Sequence, residues 1–244
     1  MKRALLRVDI LNDFMPTGTL PVPDGDGVVA PTNTLTSRED LYSLVVDIQD
    51  WHPAPHKSFA ANHPGRQVNE VVDLHGTKQL LWPTHAVQNT RGADFHPELV
   101  RVFRGAPIPV VQKGTNVEVD SYSGFFDNDR KSETDLRAFL EKNEITHVDV
   151  VGLATDFCVA ATALDAIALG YKTRVLTKAC RGVGIYENDI ENALAKIKAA
   201  GGEVVDSPVA EIAAEIQLSG PNLTGNKRGP DAPPPTKCVG PRGC

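Results

Sequence analysis

The chain has 244 residues, 41% of them hydrophobic, which is enough to bury a full core in one α/β domain. Its formal charge of −6 gives nucleic acid or an anionic membrane surface no electrostatic hold, and the sequence contains no basic run. No apolar stretch is long enough to span a bilayer, and four cysteines are too sparse for a disulfide scaffold, so a reduced, cytoplasmic setting is expected.

The N-terminus, MKRALLRVDILNDF, lacks a full signal-peptide core and reads as a first strand over 4–8, ended by Asp9. Residues 12–27 are rich in Gly, Pro and Asp and read as a loop, with Asp13 a turn-forming or capping carboxylate. A helix is expected over 33–42 and a second strand over 44–48. Asp50-Trp51-His52 follows that strand and sets a carboxylate and an imidazole on one side of an extended chain, within reach of one metal ion. Residues 54–81 read as an irregular insertion holding His56, His63 and His75, and His85 follows it as a candidate third ligand. Six of the seven histidines fall between positions 52 and 96, a clustering that favours a metal or ligand site, although spacing alone does not choose among them.

A third strand over 108–111 is closed by Gln112-Lys113-Gly114, and the following loop, 120–126, carries more aromatic residues than a solvent loop needs. An amphipathic helix is expected over 132–143. The β-branched run 148–153 reads as a buried parallel strand, and helical spacing runs from 157 to 169 until Gly170 stops it. Cys158 therefore falls in a first helical turn, where backbone N–H groups and the helix dipole favour a thiolate and can receive an oxyanion. Asp156 beside it reads as a cap or bracing acid. A fifth strand (172–177), a helix (186–200), an edge strand (203–206) and a last helix (207–216) complete the pattern.

Strands alternating with helices predict a mostly parallel six-stranded sheet with helices on both faces, as one domain over 1–217. Residues 218–244 are rich in Gly and Pro, hold Cys238 and Cys244, and are expected to be a disordered tail. Asp9, Asp50, Lys113 and Cys158 each follow the carboxyl end of a strand, so the predicted fold gathers them at one edge.

The motifs VDILNDF (8–14), TGTL (17–20), DWHP (50–53), WPTHAVQNT (82–90), GADFHP (92–97), KG (113–114), DSYSGFFDN (120–128) and GLATDFCV (152–159) resemble those of the nicotinamidases among the isochorismatase-like cysteine hydrolases. The resemblance covers roughly residues 4–208. It implies a catalytic triad of Asp9, Lys113 and Cys158, an oxyanion hole from the N–H groups of Ala154 and Cys158, and a cis peptide between Leu153 and Ala154. It further implies one divalent metal ion, zinc before iron or manganese, on Asp50, His52 and His85, with Ser58 where some members place a fourth ligand. Phe14, Trp82 and Tyr122 match the residues that hold the pyridine ring. The implied activity is hydrolysis of nicotinamide, and of pyrazinamide, through a cysteine thioester in NAD salvage. Against it stand an amidase for a carbamoyl or ureido substrate and a metal-water hydrolase with an inert cysteine. Oligomeric state is left open. Arg7 departs from the pattern, standing where an aliphatic strand residue is usual.

Overall fold

The structure, a computed structural model, describes residues 1–207. In chain order its strands are β1 (Arg3–Val8), β2 (Leu44–Asp50), β3 (Val71–Leu74), β4 (Thr77–Leu80), β5 (Val102–Phe103), β6 (Ala106–Pro107), β7 (Val110–Lys113), β8 (His147–Leu153), β9 (Lys172–Arg181) and β10 (Glu203–Val205). The α-helices are α1 (Val29–Thr36), α2 (Leu136–Lys142), α3 (Ala160–Ala168) and α4 (Asp189–Ala199). The expected last helix and tail, and the boundary at 217, lie outside the described residues.

Six strands form the main sheet in the order β10-β9-β8-β1-β2-β7, and every neighbouring pair is parallel. All six residues of β1 are buried, as are the last six of β2 and of β8. Because successive side chains point to opposite faces, unbroken burial means that both faces are covered. From β1 the chain builds outward to β2 and β7 on one side, then returns through β8 to β9 and β10 on the other. The order therefore reverses at β1 and β8, and open α/β sheets bind ligands beyond the carboxyl ends of strands at such a switch. A second apolar cluster, including Ile10, Phe14, Val22, Ala86 and Leu153, lies beneath the loops at that edge and holds them to the sheet.

Several boundaries differ from the sequence reading. Helix α1 starts at Val29, ahead of the expected 33, because Pro31 sits in the first turn, where its missing N–H is no loss. Strand β9 runs to Arg181, four residues beyond the expected end. Within the supposed irregular insertion, β3 and β4 form a hairpin through His75 and Gly76, both at positive φ (53° and 89°), a turn suited to a two-residue connection.

Candidate active site

Each of the four strand-end residues lands where its strand delivers it. Asp9 follows β1, Asp50 ends β2, Lys113 ends β7, and Cys158 lies five residues beyond β8. Asp9 and Lys113 are almost wholly buried. The Lys113 Nζ lies 3.0 Å from Asp9 Oδ2 and 2.5 Å from Asp50 Oδ1. It also donates to the Ser121 carbonyl at 2.9 Å and meets Cys158 Sγ at 3.4 Å. The other oxygen of Asp9 accepts the Asp50 N–H at 2.9 Å. One ammonium is thus shared by two carboxylates and the thiol.

That sharing sets the charge states. Burial opposes the Lys113 charge, but Asp50 and then Asp9 hold its pKa well above the ordinary value. Burial likewise opposes charge on Asp50, and Lys113 with His52 overrides it, holding that carboxyl below the usual range. Asp9 receives less compensation: burial and the Asp50 charge push it up to about 7, against Lys113. Burial pushes the Cys158 thiol well up, and Lys113 only partly counters it. The activated thiolate expected from helix position is therefore not the resting form. The turn itself also differs, since Thr155–Val159 is a π-type turn preceding α3, with Cys158 its fourth residue.

Asp50, His52 and His85 present ligand atoms within 4.8 Å of one another. His52 Nδ1 bonds the Gly114 carbonyl at 2.9 Å and His85 Nδ1 bonds the Pro83 carbonyl at 2.8 Å. A carbonyl only accepts, so each Nδ1 carries the proton and each Nε2 offers its lone pair. Those Nε2 atoms lie 3.6 and 3.8 Å from Asp50 Oδ2. Gly114 is required here: its φ is 64°, and a Cβ would sit 2.3 Å from the His52 ring. One carboxylate and two imidazole nitrogens, oriented by carbonyls, fit a divalent metal ion. His63 and His75 are engaged elsewhere, with the Lys57 carbonyl at 2.7 Å and Glu118 at 3.2 Å. His56 meets Ser58 Oγ through Nδ1 at 2.7 Å, while its buried Nε2 has no partner among the described residues, and it groups with His52 and Asp120 as a second set of potential ligands. The Ser58 hydroxyl is thus committed to His56.

Above these groups opens a small cavity lined by Phe14, Trp82, Tyr122, Ala154, His85 and Cys158. Leu153–Ala154 is a cis peptide, as the resemblance implies. Phe157, which the sequence reading passed over, forms an aromatic wall with Trp82 (ring centroids 4.8 Å apart) and Tyr122 (5.6 Å). The Tyr122 hydroxyl accepts from Trp82 Nε1 at 3.1 Å and from Gln79 Nε2 at 3.2 Å. Gln79 is a second omission, brought in by β4 and also donating to Asp120 at 2.9 Å. Asp156 braces the far wall, accepting the N–H groups of Val183 and Gly184 at 2.9 and 2.8 Å.

The Isochorismatase domain model matches residues 3–208. The chain belongs to the isochorismatase family. It is 46% identical over 200 residues to the nicotinamidase of Escherichia coli, covering 82% of this chain and 92% of that one. Among solved structures it is similar to the yeast nicotinamidase bound to the inhibitor nicotinaldehyde, with a TM-score of 0.81, 33% identity, and coverage of 84% of this chain and all of that one. It also resembles the pyrazinamidase of Pyrococcus horikoshii in complex with zinc, with a TM-score of 0.68, 34% identity, and coverage of 85% of this chain and all of that one. With curated nicotinamidases among its relatives in this family, the protein is an amidohydrolase. Among the described residues, no helix is long and apolar enough to cross a membrane.

Proposed function

We propose that the protein is a nicotinamidase, hydrolysing nicotinamide, and by the same chemistry pyrazinamide, to the acid and ammonia in NAD salvage. The observation that carries this reading is the position of Lys113 Nζ, 3.0 Å from Asp9 and 3.4 Å from the Sγ of Cys158, which lines an aromatic cavity together with Asp50 and His85 of the Asp50–His52–His85 cluster. The similar nicotinamidases and the zinc-bound pyrazinamidase support the substrate and the metal.

Phe14, Trp82 and Tyr122 wall the pyridine ring, and Phe157 closes one side. Asp50, His52 and His85 would hold a divalent ion, zinc first, which when bound supplies a Lewis-acidic seat for the ring nitrogen. Asp9 accepts the Cys158 proton as Sγ attacks the carboxamide carbon. Lys113 stays charged and stabilises the anionic partners as the proton moves. The backbone N–H groups of Ala154 and Cys158 receive the oxyanion, each contributing about 3 kcal/mol in comparable sites. The C–N bond then breaks while Asp9 returns its proton to nitrogen, releasing ammonia and leaving a thioester. Asp9 next takes a proton from water, hydroxide attacks the thioester carbon, and the acid leaves as sulfur regains the proton. The deciding test is ammonia release from nicotinamide by the purified chain, alongside benzamide, which lacks the ring nitrogen. Turnover of nicotinamide with poor turnover of benzamide is expected; equal rates would refute recognition of the ring nitrogen.

A further inference from the structure

We infer that Asp13 is a positioning residue for the metal cluster, acting through the backbone of Ala86. The sequence suggests only a local turn role for this carboxylate, and its contact with the Thr19 N–H, at 3.4 Å, is long. Its short bond reaches 73 residues along the chain, where Oδ2 accepts the Ala86 N–H at 2.8 Å. Ala86 is fully buried and has a φ of 46°, a left-handed conformation uncommon for any residue with a Cβ. Its carbonyl accepts the His52 N–H at 3.0 Å, and the His52 carbonyl in turn accepts from Gln88 at 2.9 Å. The backbones of His52 and His85 are therefore joined through the residue that Asp13 holds.

The surroundings are shaped around this carboxylate. A Cβ on Gly92 would lie 2.0 Å from Asp13 Oδ2, so only glycine leaves room for it. Removing the carboxylate frees Ala86 to leave its left-handed conformation, and His85 Nε2 then drifts from Asp50 and His52. Groups that orient metal ligands typically change metal affinity by roughly 10–100-fold when lost.

This inference rests on the metal-dependent reading above, and the test separates the two. Zinc affinity is measured on the metal-stripped full chain by competition with a chromogenic chelator, for the unaltered protein, Asp13→Ala and Gly92→Ala. Thermal melts report whether each variant folds. Gly92→Ala keeps the carboxylate but pushes it aside, so it tests position rather than charge. Both variants are expected to bind zinc roughly 10–100-fold more weakly, with kcat recovering at saturating zinc. Unaltered zinc affinity in either folded variant overturns the role of Asp13 and leaves the metal reading intact. An unaltered protein that binds no zinc overturns the metal reading itself.

Discussion

Two regions of this molecule bury charge, and they do so to opposite ends. Along one sheet face, Arg7 donates to Asp47 at 2.7 Å, to Thr36 Oγ1 at 3.0 Å and to the Val100 carbonyl at 2.7 Å, while Arg101 reaches the second Asp47 oxygen at 3.1 Å. Nearby, Asp149 accepts from Arg174 Nε and Nη2, at 2.8 and 2.6 Å, from the Tyr42 hydroxyl at 2.9 Å, and from Arg3. Each carboxylate there is enclosed by donors, yet burial still holds the Asp47 carboxyl above its ordinary value and lowers that of Arg7. At the carboxyl edge two carboxylates and a thiol share one ammonium, and Asp9 is left with a pKa near neutrality. Burial of charge alone therefore does not mark a site. What marks the carboxyl edge is that its undercompensated charges adjoin a thiol and a cavity.

The largest expected effect breaks the carboxyl-edge set. Cys158→Ala should lower kcat for nicotinamide by at least about 10⁴-fold, since removing a nucleophile disables its partners with it. Its melting temperature should stay close to that of the unaltered chain, because the change removes one sulfur from an otherwise intact wall. Ammonia release at the original rate would restore the metal-water alternative.

Next in size is the opposite lesion. Asp47→Ala strands the Arg7 guanidinium in the core and should cost about 3–5 kcal/mol of stability by denaturant titration. Turnover per folded molecule should be unchanged. Replacing both partners, as Arg7→Met with Asp47→Leu, should recover most of that loss, since buried ion pairs can often be exchanged for apolar packing. The unusual Arg7 is thus accounted for by Asp47, which faces it on the neighbouring strand. Loss of catalysis in the folded double variant would show that the two regions are coupled.

Chelation should have a smaller effect, confined to the carboxyl edge. Removing the metal should lower kcat/KM for nicotinamide about 100-fold, the scale of one lost preorganised contact. Readdition of zinc should restore it. A stripped enzyme with undiminished kcat/KM would remove the ion from substrate recognition.

What could be read in the sequence follows the same division. The central strands are legible because burial on both faces leaves continuous β-branched runs, and strand ends carrying Asp9, Asp50, Lys113 and Cys158 follow from them. The pairing of Arg7 with Asp47 depends on which strands are neighbours, and local pattern does not state that. Helix α1 was obscured by Pro31, whose place in a first turn looks like a break when read alone. The β3–β4 hairpin did leave a signal, alternation on either side of His75-Gly76, and through it Gln79 reaches Tyr122 and Asp120. His85, by contrast, could be picked from its neighbours only by resemblance. What separates it from His56 is that the fold groups it with Asp50 and His52, whereas His56 groups with His52 and Asp120.

The smallest expected effect sharpens the contrast most directly, because it reads the charge imbalance itself. Asp9 serves as base only when ionised, and burial together with Asp50 places its pKa at about 7. Protonation as pH falls removes the base, so in the metal-stripped enzyme kcat/KM should drop roughly tenfold between pH 8 and pH 6 and continue down with unit slope. The Cys158 thiol, raised well above its ordinary value, stays protonated across that range and adds no inflection of its own. A cation bound at Asp50 offsets the charge that raises Asp9, so the metal-loaded enzyme should show its inflection below that of the stripped one. The Arg7→Met, Asp47→Leu pair lies away from the carboxyl edge and should leave the inflection where it is. A flat profile from pH 5 to 8 would deny Asp9 the role of base, whereas an inflection moved by the distant pair would mean that the sheet face tunes the site.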